Sequence, residues 1–396
     1  MKDVLERARM LVDRYDICNA CLGRVFLSVE GASNEERGEK IRKMLGVEEP
    51  EHCYFCMDWS KKISILADWA EKELRKYEAR TFRIGTHLSP ELIRREEELF
   101  DFVGVDQAES LKRHINREVG KEIHRRTGKT FDPQGDIEIV LDLEEERAIA
   151  HPAPVYLYGR YRKFAEMPQT KWPCRYCGGR GCPACEYTGR QWRESVEYYI
   201  ADVLLALTMG KESRFHAAGR EDIDAFMLGS GRPFVIEIVE PRRRYLDWNW
   251  VKEEINKHAK GKIEVLCLLP SSKEEVRELK SEHYVKVYRA QVECDGNPDW
   301  KKIKSLEGRT ITQKTPSRIL HRKGEKVRKR RVLKIWWEKK GSKMYIYVEA
   351  EAGLYIKELI TGDGGRTTPS VSEVLGVPCR VVHLDVIEVK GGRPCS

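Results

Sequence analysis

No stretch of this sequence approaches the ~18 apolar residues of a membrane-spanning helix. The opening Met-Lys-Asp-Val-Leu-Glu-Arg is charged where a secretory signal would be apolar. A cytoplasmic protein with no membrane partner is expected. Internal repeats and low-complexity tracts are also missing, which removes solenoids and disordered scaffolds from consideration. Charge of one sign is not in large excess: 72 Lys and Arg stand against 64 Asp and Glu, leaving +8. Any affinity for phosphate must come from local clusters rather than from the whole chain. What is present is ample for folding, since 41% of the 396 residues are hydrophobic under a surface with 34% charged residues overall. That length suggests two or three domains.

Helical periodicity carries Val4, Ala8, Leu11 and Tyr15 into Cys18, and a second charged helical stretch over 34–45 leads to Cys53. Residues 60–78 read as a further amphipathic helix and 81–86 as a short strand. Ser89-Pro90 then supplies an N-cap with Pro at the first helical position. Leu111, Ile115, Val119 and Ile123 mark another helix closed by Gly128, and Ile137, Ile139, Leu141 and Leu143 alternate as a half-buried strand. His151-Pro-Ala-Pro154 is either an internal turn or a boundary. The apolar segment 196–207 fits a helix or a buried strand. Beyond it, strands at 233–239, 262–269, 284–292, 332–337, 343–350 and 381–389 mix with helices near 247–258, 273–281 and 353–361. This pattern indicates an α+β multidomain protein whose C-terminal part is built on a mixed or antiparallel sheet.

Eight of the twelve cysteines fall into four Cys-x-x-Cys pairs, which in a reducing compartment point to metal rather than disulfides. Cys18, Cys21, Cys53 and Cys56 supply four thiolates from two tight turns, enough to close a structural Zn2+ site with no open position for catalysis. Cys174, Cys177, Cys182 and Cys185 lie closer together, with Gly178, Gly179 and Gly181 between the pairs. They form either a compact zinc knuckle or a Gly-rich loop with idle or redox-labile thiols. Arg175, Arg180 and Arg190 would suit phosphate contact in both cases.

Ala218-Gly219-Arg220-Glu221-Asp222-Ile223-Asp224, followed by Gly229-Ser-Gly-Arg-Pro-Phe234, resembles the nucleophile loop of pseudouridine synthases. Lys286-Val-Tyr288-Arg-Ala290 and Gly353-Leu-Tyr-Ile-Lys357-Glu-Leu resemble that family's second and third motifs, in the same order. With Thr315-Pro-Ser-Arg-Ile-Leu-His-Arg322 and Gly365-Arg-Thr-Thr-Pro-Ser370, nearly the whole chain is similar to the archaeal tRNA pseudouridine synthases that carry an N-terminal THUMP domain. The resemblance implies isomerisation of uridine 54, uridine 55 or both in the T-arm, with tRNA as partner and no organic cofactor. It also implies a zinc-binding segment at 1–59, a THUMP-like RNA-binding domain at 60–163 and a catalytic domain at 164–396 with the second cysteine cluster at 174–185. Asp222 would be the catalytic carboxylate, Arg220 the anchor of its loop, Tyr288 the ring that stacks on the target base and Lys357 the cation paired with Asp222. Ile356 would pack on the flipped base. A monomer is expected.

Taken singly, these residues have plainer uses. Asp222 would close an Asx-turn or cap a helix, Tyr288 would fill a sheet core, and Lys357 would meet solvent. Asp224 is the alternative nucleophile, sharing a face with Asp222 only in a strand. The run from Arg318 through Arg322, Lys323, Lys326, Arg328, Lys329 and Arg330 to Arg331, broken only by Glu325 among acids, reads as a long basic loop able to grip an RNA backbone. Two rival functions remain: a THUMP-bearing tRNA-modifying enzyme of other chemistry, and a non-catalytic tRNA-binding or tRNA-folding protein. The glycine clusters at 178, 229 and 362 fit neither the methyl-donor turn nor the nucleotide-binding loop that methyltransferase or thiouridine chemistry would require.

Overall fold

The computed structural model describes residues 2–104, 108–320 and 324–395, and the chain divides into two compact units. The first comprises 1–153 with 240–244, and the second 154–239 with 245–396.

In the first unit, α1 (Lys2–Arg14), α2 (Asn19–Val25), α3 (Asn34–Leu45) and α4 (Ile63–Leu74) precede β1 (Thr81–His87), α5 (Pro90–Val103) and α6 (Leu111–Thr127). Three strands follow, β2 (Thr130–Phe131), β3 (Ile137–Asp142) and β4 (Arg147–Pro152), giving a four-stranded sheet of order β2-β1-β3-β4. Helices α3, α5 and α6 begin where serines accept from free backbone N–H groups: Ser33 from Glu36, Ser89 from Leu92, Ser110 from Arg113. Ile137, Ile139 and Leu141 on β3 are buried in one core with Leu111, Ile115, Val119 and Ile123 of α6, as alternation and helical spacing predict. That hydrophobic core runs from Ala8 to Leu143 and contains Cys18, Cys21, Cys53 and Cys56. The segment 1–59 therefore shares its core with the residues that follow it.

The second unit opens with β5 (Val155–Lys163) and continues through α7 (Val196–Thr208), β6 (Glu212–Ala217), β7 (Phe226–Val239), α8 (Trp248–Ala259), β8 (Ile263–Ser271) and α9 (Lys273–Ser281). Next come β9 (Lys286–Cys294), β10 (Thr310–Lys314), β11 (Val327–Lys340), β12 (Lys343–Ala350), α10 (Ile356–Thr361), β13 (Thr367–Thr368), α11 (Val371–Leu375) and β14 (Cys379–Val389). The strands form one mixed sheet of order β13-β10-β11-β12-β9-β14-β7-β5-β8, with β6 beside β7. All pairings are antiparallel except β14 with β7.

Two sequence expectations shift here. Residues 155–163, read as the end of the N-terminal domain, are β5, an interior strand between β7 and β8. Residues 327–331 of the expected basic loop are the start of β11, where Arg328 and Arg330 pair opposite Gln313 and Ile311 of β10. Arg322 and Lys323 lie outside the described residues. The four cysteines outside the Cys-x-x-Cys pairs are joined as Cys267–Cys395 and Cys294–Cys379, the latter directly opposite each other in the β9–β14 register. Among the described residues, no helix is long and apolar enough to cross a membrane.

Candidate active site

A cavity of about 300 Å³ opens in the second unit where several separate segments meet, among them the ones that carry the expected site residues. The turn before β7 supplies Arg220 and Asp222, β9 supplies Lys286 and Tyr288, and the start of α10 supplies Ile356 and Lys357. Gly219 enters this turn at φ +77, a backbone conformation that calls for glycine; a Cβ there would meet the flexible end of Lys286, 2.7 Å away. Tyr288 and Lys286 share a face of β9 because strand side chains alternate.

The turn is held from beneath by buried ions. Glu221, not Arg220, is its anchor: the Glu221 carboxylate is 2.7 Å from the Arg232 guanidinium and accepts from the Tyr161 hydroxyl at 2.8 and 3.0 Å. Arg232 also donates to the Ala218 carbonyl. Burial works against the Arg232 charge, yet Glu221 keeps its pKa above the ordinary value. Lys163, fully buried at the end of β5, donates to the carbonyls of Met167, Asp222 and Ile223 at 3.0, 3.1 and 3.0 Å. Gln169 donates to Tyr161 Oη and to the Gly219 carbonyl. Breaking one member of such a network strands its buried partner, which costs ~3–5 kcal/mol. Arg220, expected to anchor the turn, is exposed at the cavity rim and makes no hydrogen bond among the described residues. The physical reason is polarity: the buried Arg232 and Tyr161 offer donors, which a carboxylate accepts and a guanidinium cannot.

The acids at the mouth divide the cations differently from the sequence expectation. Asp222 Oδ2 lies 3.0 Å from Arg318 and 3.9 Å from Lys357 Nζ, whereas Lys357 contacts Asp224 Oδ2 at 2.6 Å. Arg318, expected to contact RNA phosphate, is thus the nearer partner of Asp222, and it bonds Glu358 at 2.7 Å as well. Burial acts to raise the Asp224 pKa, but the hydrogen bond and charge of Lys357 bring it below the usual value. Burial pushes the Tyr288 phenol up to about 12, with the charges of Asp222 and Glu221 adding to the effect and Arg232 opposing it. The ring is therefore neutral at physiological pH. Arg328 lies over the Tyr355 ring at 4.5 Å and donates to the Gly353 carbonyl, and Arg330 donates to the Ala352 carbonyl. These two arginines face the loop that borders the cavity, while Lys329 and Arg331, alternate along β11, are exposed.

The sequence offers Lys286 only as part of a motif, yet in the fold it is 7% exposed and close to Arg232. Burial, reinforced by Arg232, brings its pKa down to about 8 from 10.5. The unfolded chain then binds more protons than the folded one between those values, so the lysine penalises folding below pH 8 and the penalty fades as pH rises. Lys286→Met is expected to gain up to about 3 kcal/mol of unfolding free energy at pH 7. Denaturant titrations should show the gain shrinking towards pH 10.5; a difference independent of pH would assign it to packing instead of charge.

Both cysteine sets have zinc geometry. Each places its four Sγ atoms within 4.8 Å of one another. A tetrahedral ion with Zn–S bonds of ~2.3 Å sets sulfurs ~3.8 Å apart. Cys18 and Cys56 are at 3.7 Å, Cys174 and Cys182 at 3.9 Å, Cys177 and Cys185 at 3.9 Å. Backbone N–H groups point at the sulfurs, including Cys18 to Cys53, Gly181 to Cys177 and Gly189 to Cys185, as negatively charged thiolates require. Either set can hold a structural Zn2+, and neither leaves a coordination position for substrate.

Residues 156–390 match the family model described as Pus10, C-terminal, and residues 66–142 that of the archaeal Pus10 THUMP domain. Among curated proteins, the tRNA pseudouridine synthase Pus10 of Methanothrix thermoacetophila is 40% identical over 99% of this chain and 95% of its own. That of Methanothermobacter marburgensis is 42% identical over 99% and 100%, and that of Methanopyrus kandleri 38% over 97% and 98%. Among solved structures, a chain described as belonging to a Cbf5-Nop10-Gar1 complex covers 57% of this chain and 58% of its own at 18% identity and a TM-score of 0.29, too low to bear on the fold.

Proposed function

Because this chain belongs to the Pus10 family of tRNA pseudouridine synthases, with a THUMP domain ahead of an α+β catalytic domain, we propose that it converts uridine 54, uridine 55 or both in the tRNA T-arm to pseudouridine with Asp222 as the catalytic carboxylate. The reaction breaks the bond between ribose C1′ and N1, turns the base, joins C1′ to C5, releases the C5 proton and protonates N1. Atoms balance without a redox partner, and no organic cofactor is called for. Asp222 acts as nucleophile or base, with the positive charges of Arg318 and Lys357 beside it at 3.0 and 3.9 Å. Turning the uridine out of its stack costs a few kcal/mol, which stacking on the neutral Tyr288 ring and packing against Ile356 offset. We assign tRNA gripping to the first unit and chemistry to the second, in a cytoplasmic monomer, with both four-cysteine sites holding structural zinc.

The observation that supports this reading is the convergence of Asp222, Tyr288 and Lys357, up to 135 residues apart in sequence, on one cavity. Incubating the purified chain with unmodified tRNA transcript and no cofactor should yield pseudouridine at position 54, 55 or both, read by chemical mapping. Product confined to another arm would overturn the assigned position, and no product at all would overturn the chemistry.

A further inference from the structure

The Cys174–Cys185 knuckle carries a surface that its own folding does not explain. Tyr176 and Tyr187 are 84% and 75% exposed, the two most exposed large apolar side chains among the described residues, and nearby Trp192 is 38% exposed. Rings of this size normally contribute to stability by burial. Exposed Arg175 and Arg180 stand beside them, donating to the Gln191 side chain and the Cys177 carbonyl, so neither meets an acid there; Arg193 pairs with Glu186. Four thiolates around one zinc would leave two negative charges inside the knuckle, but both arginines remain open to solvent and to any phosphate that approaches.

The knuckle is also tethered near the cavity. Its neck is closed by the Pro173–Arg190 bridge and by Gln191 N–H donating to the Trp172 carbonyl. On the other side of that neck, Gln169 bonds the Gly219 carbonyl at the base of the Asp222 turn. Tyr176 is seven residues from Gln169, and at no more than ~3.6 Å per residue its Cα lies within about 25 Å of that of Gln169, whose side chain reaches that turn. A polynucleotide seated in the cavity has its neighbouring nucleotides within this radius.

We propose that the knuckle is a further RNA-contact surface: nucleotides flanking the target stack on Tyr176 and Tyr187 while Arg175 and Arg180 contact their phosphates. The proposal rests on the tRNA reading above. Rings interleaved with arginines that lack acidic partners are the combination unpaired RNA takes. A protein-docking patch would add aliphatic neighbours, and here the rings are flanked by Gly178, Gly189, Pro183 and Thr188.

Affinity is measured on the full chain carrying Asp222→Asn, with unmodified tRNA transcript as probe, so that binding is read without turnover. Adding Tyr176→Ala and Tyr187→Ala together is expected to weaken tRNA binding about 10- to 100-fold, whereas Tyr176→Phe with Tyr187→Phe, which keeps both stacking faces, stays within about threefold of the parent. Melting temperature and zinc content should not move in either pair, since both rings are exposed. With Asp222 restored, the alanine pair should raise KM and leave the saturating rate unchanged. Unchanged tRNA affinity in the alanine pair overturns the proposal and leaves the rings to a protein partner; an equal loss in the phenylalanine pair overturns stacking. Absence of pseudouridine from the unsubstituted enzyme would instead overturn the functional reading, because the affinity comparison does not depend on turnover.

Discussion

Asp222→Asn is expected to slow pseudouridine formation by at least about 10⁴-fold while leaving tRNA affinity nearly intact, as loss of a reacting group without loss of shape does in other enzymes. The amide keeps the volume of the carboxylate and removes only its charge and basicity. Folding should tolerate the change, because Arg318, its nearest cation, is 38% exposed in its side chain and such pairs contribute little to stability. Asp224→Asn is the informative comparison. Asp224 holds the shorter contact to Lys357 at 2.6 Å but is the more exposed acid, at 56% against 39% for Asp222, and it is Asp222 that lines the cavity. Freeing Lys357 from Asp224 lets it turn to Asp222, so Asp224→Asn should change the single-turnover rate by no more than about tenfold. Single-turnover rates of the two variants at saturating enzyme decide the matter. If Asp224→Asn were the silent enzyme and Asp222→Asn the active one, the assignment would pass to Asp224.

That pair shows what motif order conveys and what is left to side-chain placement. Motif order puts Asp222, Tyr288 and Lys357 in one site because each motif is short and local, and the structure brings all three to one cavity. Which cation faces which acid depends on angstrom-scale side-chain placement, and the nearest partner of Asp222, Arg318, is hidden in a basic run that reads equally well as a solvated loop. Glu221, Arg232 and Lys163 escape notice for a related reason. Charged residues default to the surface, and nothing local announces that these three are buried together across β5 and β7. The same blindness hides β5: it lies in the sheet interior with Arg160 and Lys163 buried, so polarity does not alternate along it. By contrast, β12 at 343–350 and α9 at 273–281 are legible to the residue, since each presents one apolar face to the core.

Metal analysis of protein purified without chelator is expected to return about two zinc ions per chain, and losing them should have very unequal consequences. Cys18, Cys21, Cys53 and Cys56 are each at most 3% exposed and belong to the hydrophobic core of the first unit. Structural zinc in comparable settings contributes apparent free energies of ~10–16 kcal/mol, as much as a whole domain's net stability of ~5–15 kcal/mol. Cys18→Ser with Cys53→Ser should therefore unfold the first unit, seen as rapid proteolysis of 1–153 and loss of one zinc. Cys174, Cys177, Cys182 and Cys185 belong to none of the hydrophobic clusters, and the knuckle around them is largely exposed. Cys174→Ser with Cys182→Ser should release the other ion, leave the melting transition of the second unit within a few degrees of the parent, and loosen only 173–190. Zinc-free protein that melts as the zinc-loaded form does, or a first-unit double serine variant that resists protease like the parent, would contradict this division. The contrast follows from burial: a metal that closes a core is part of folding, and one that closes a surface hairpin shapes only that hairpin.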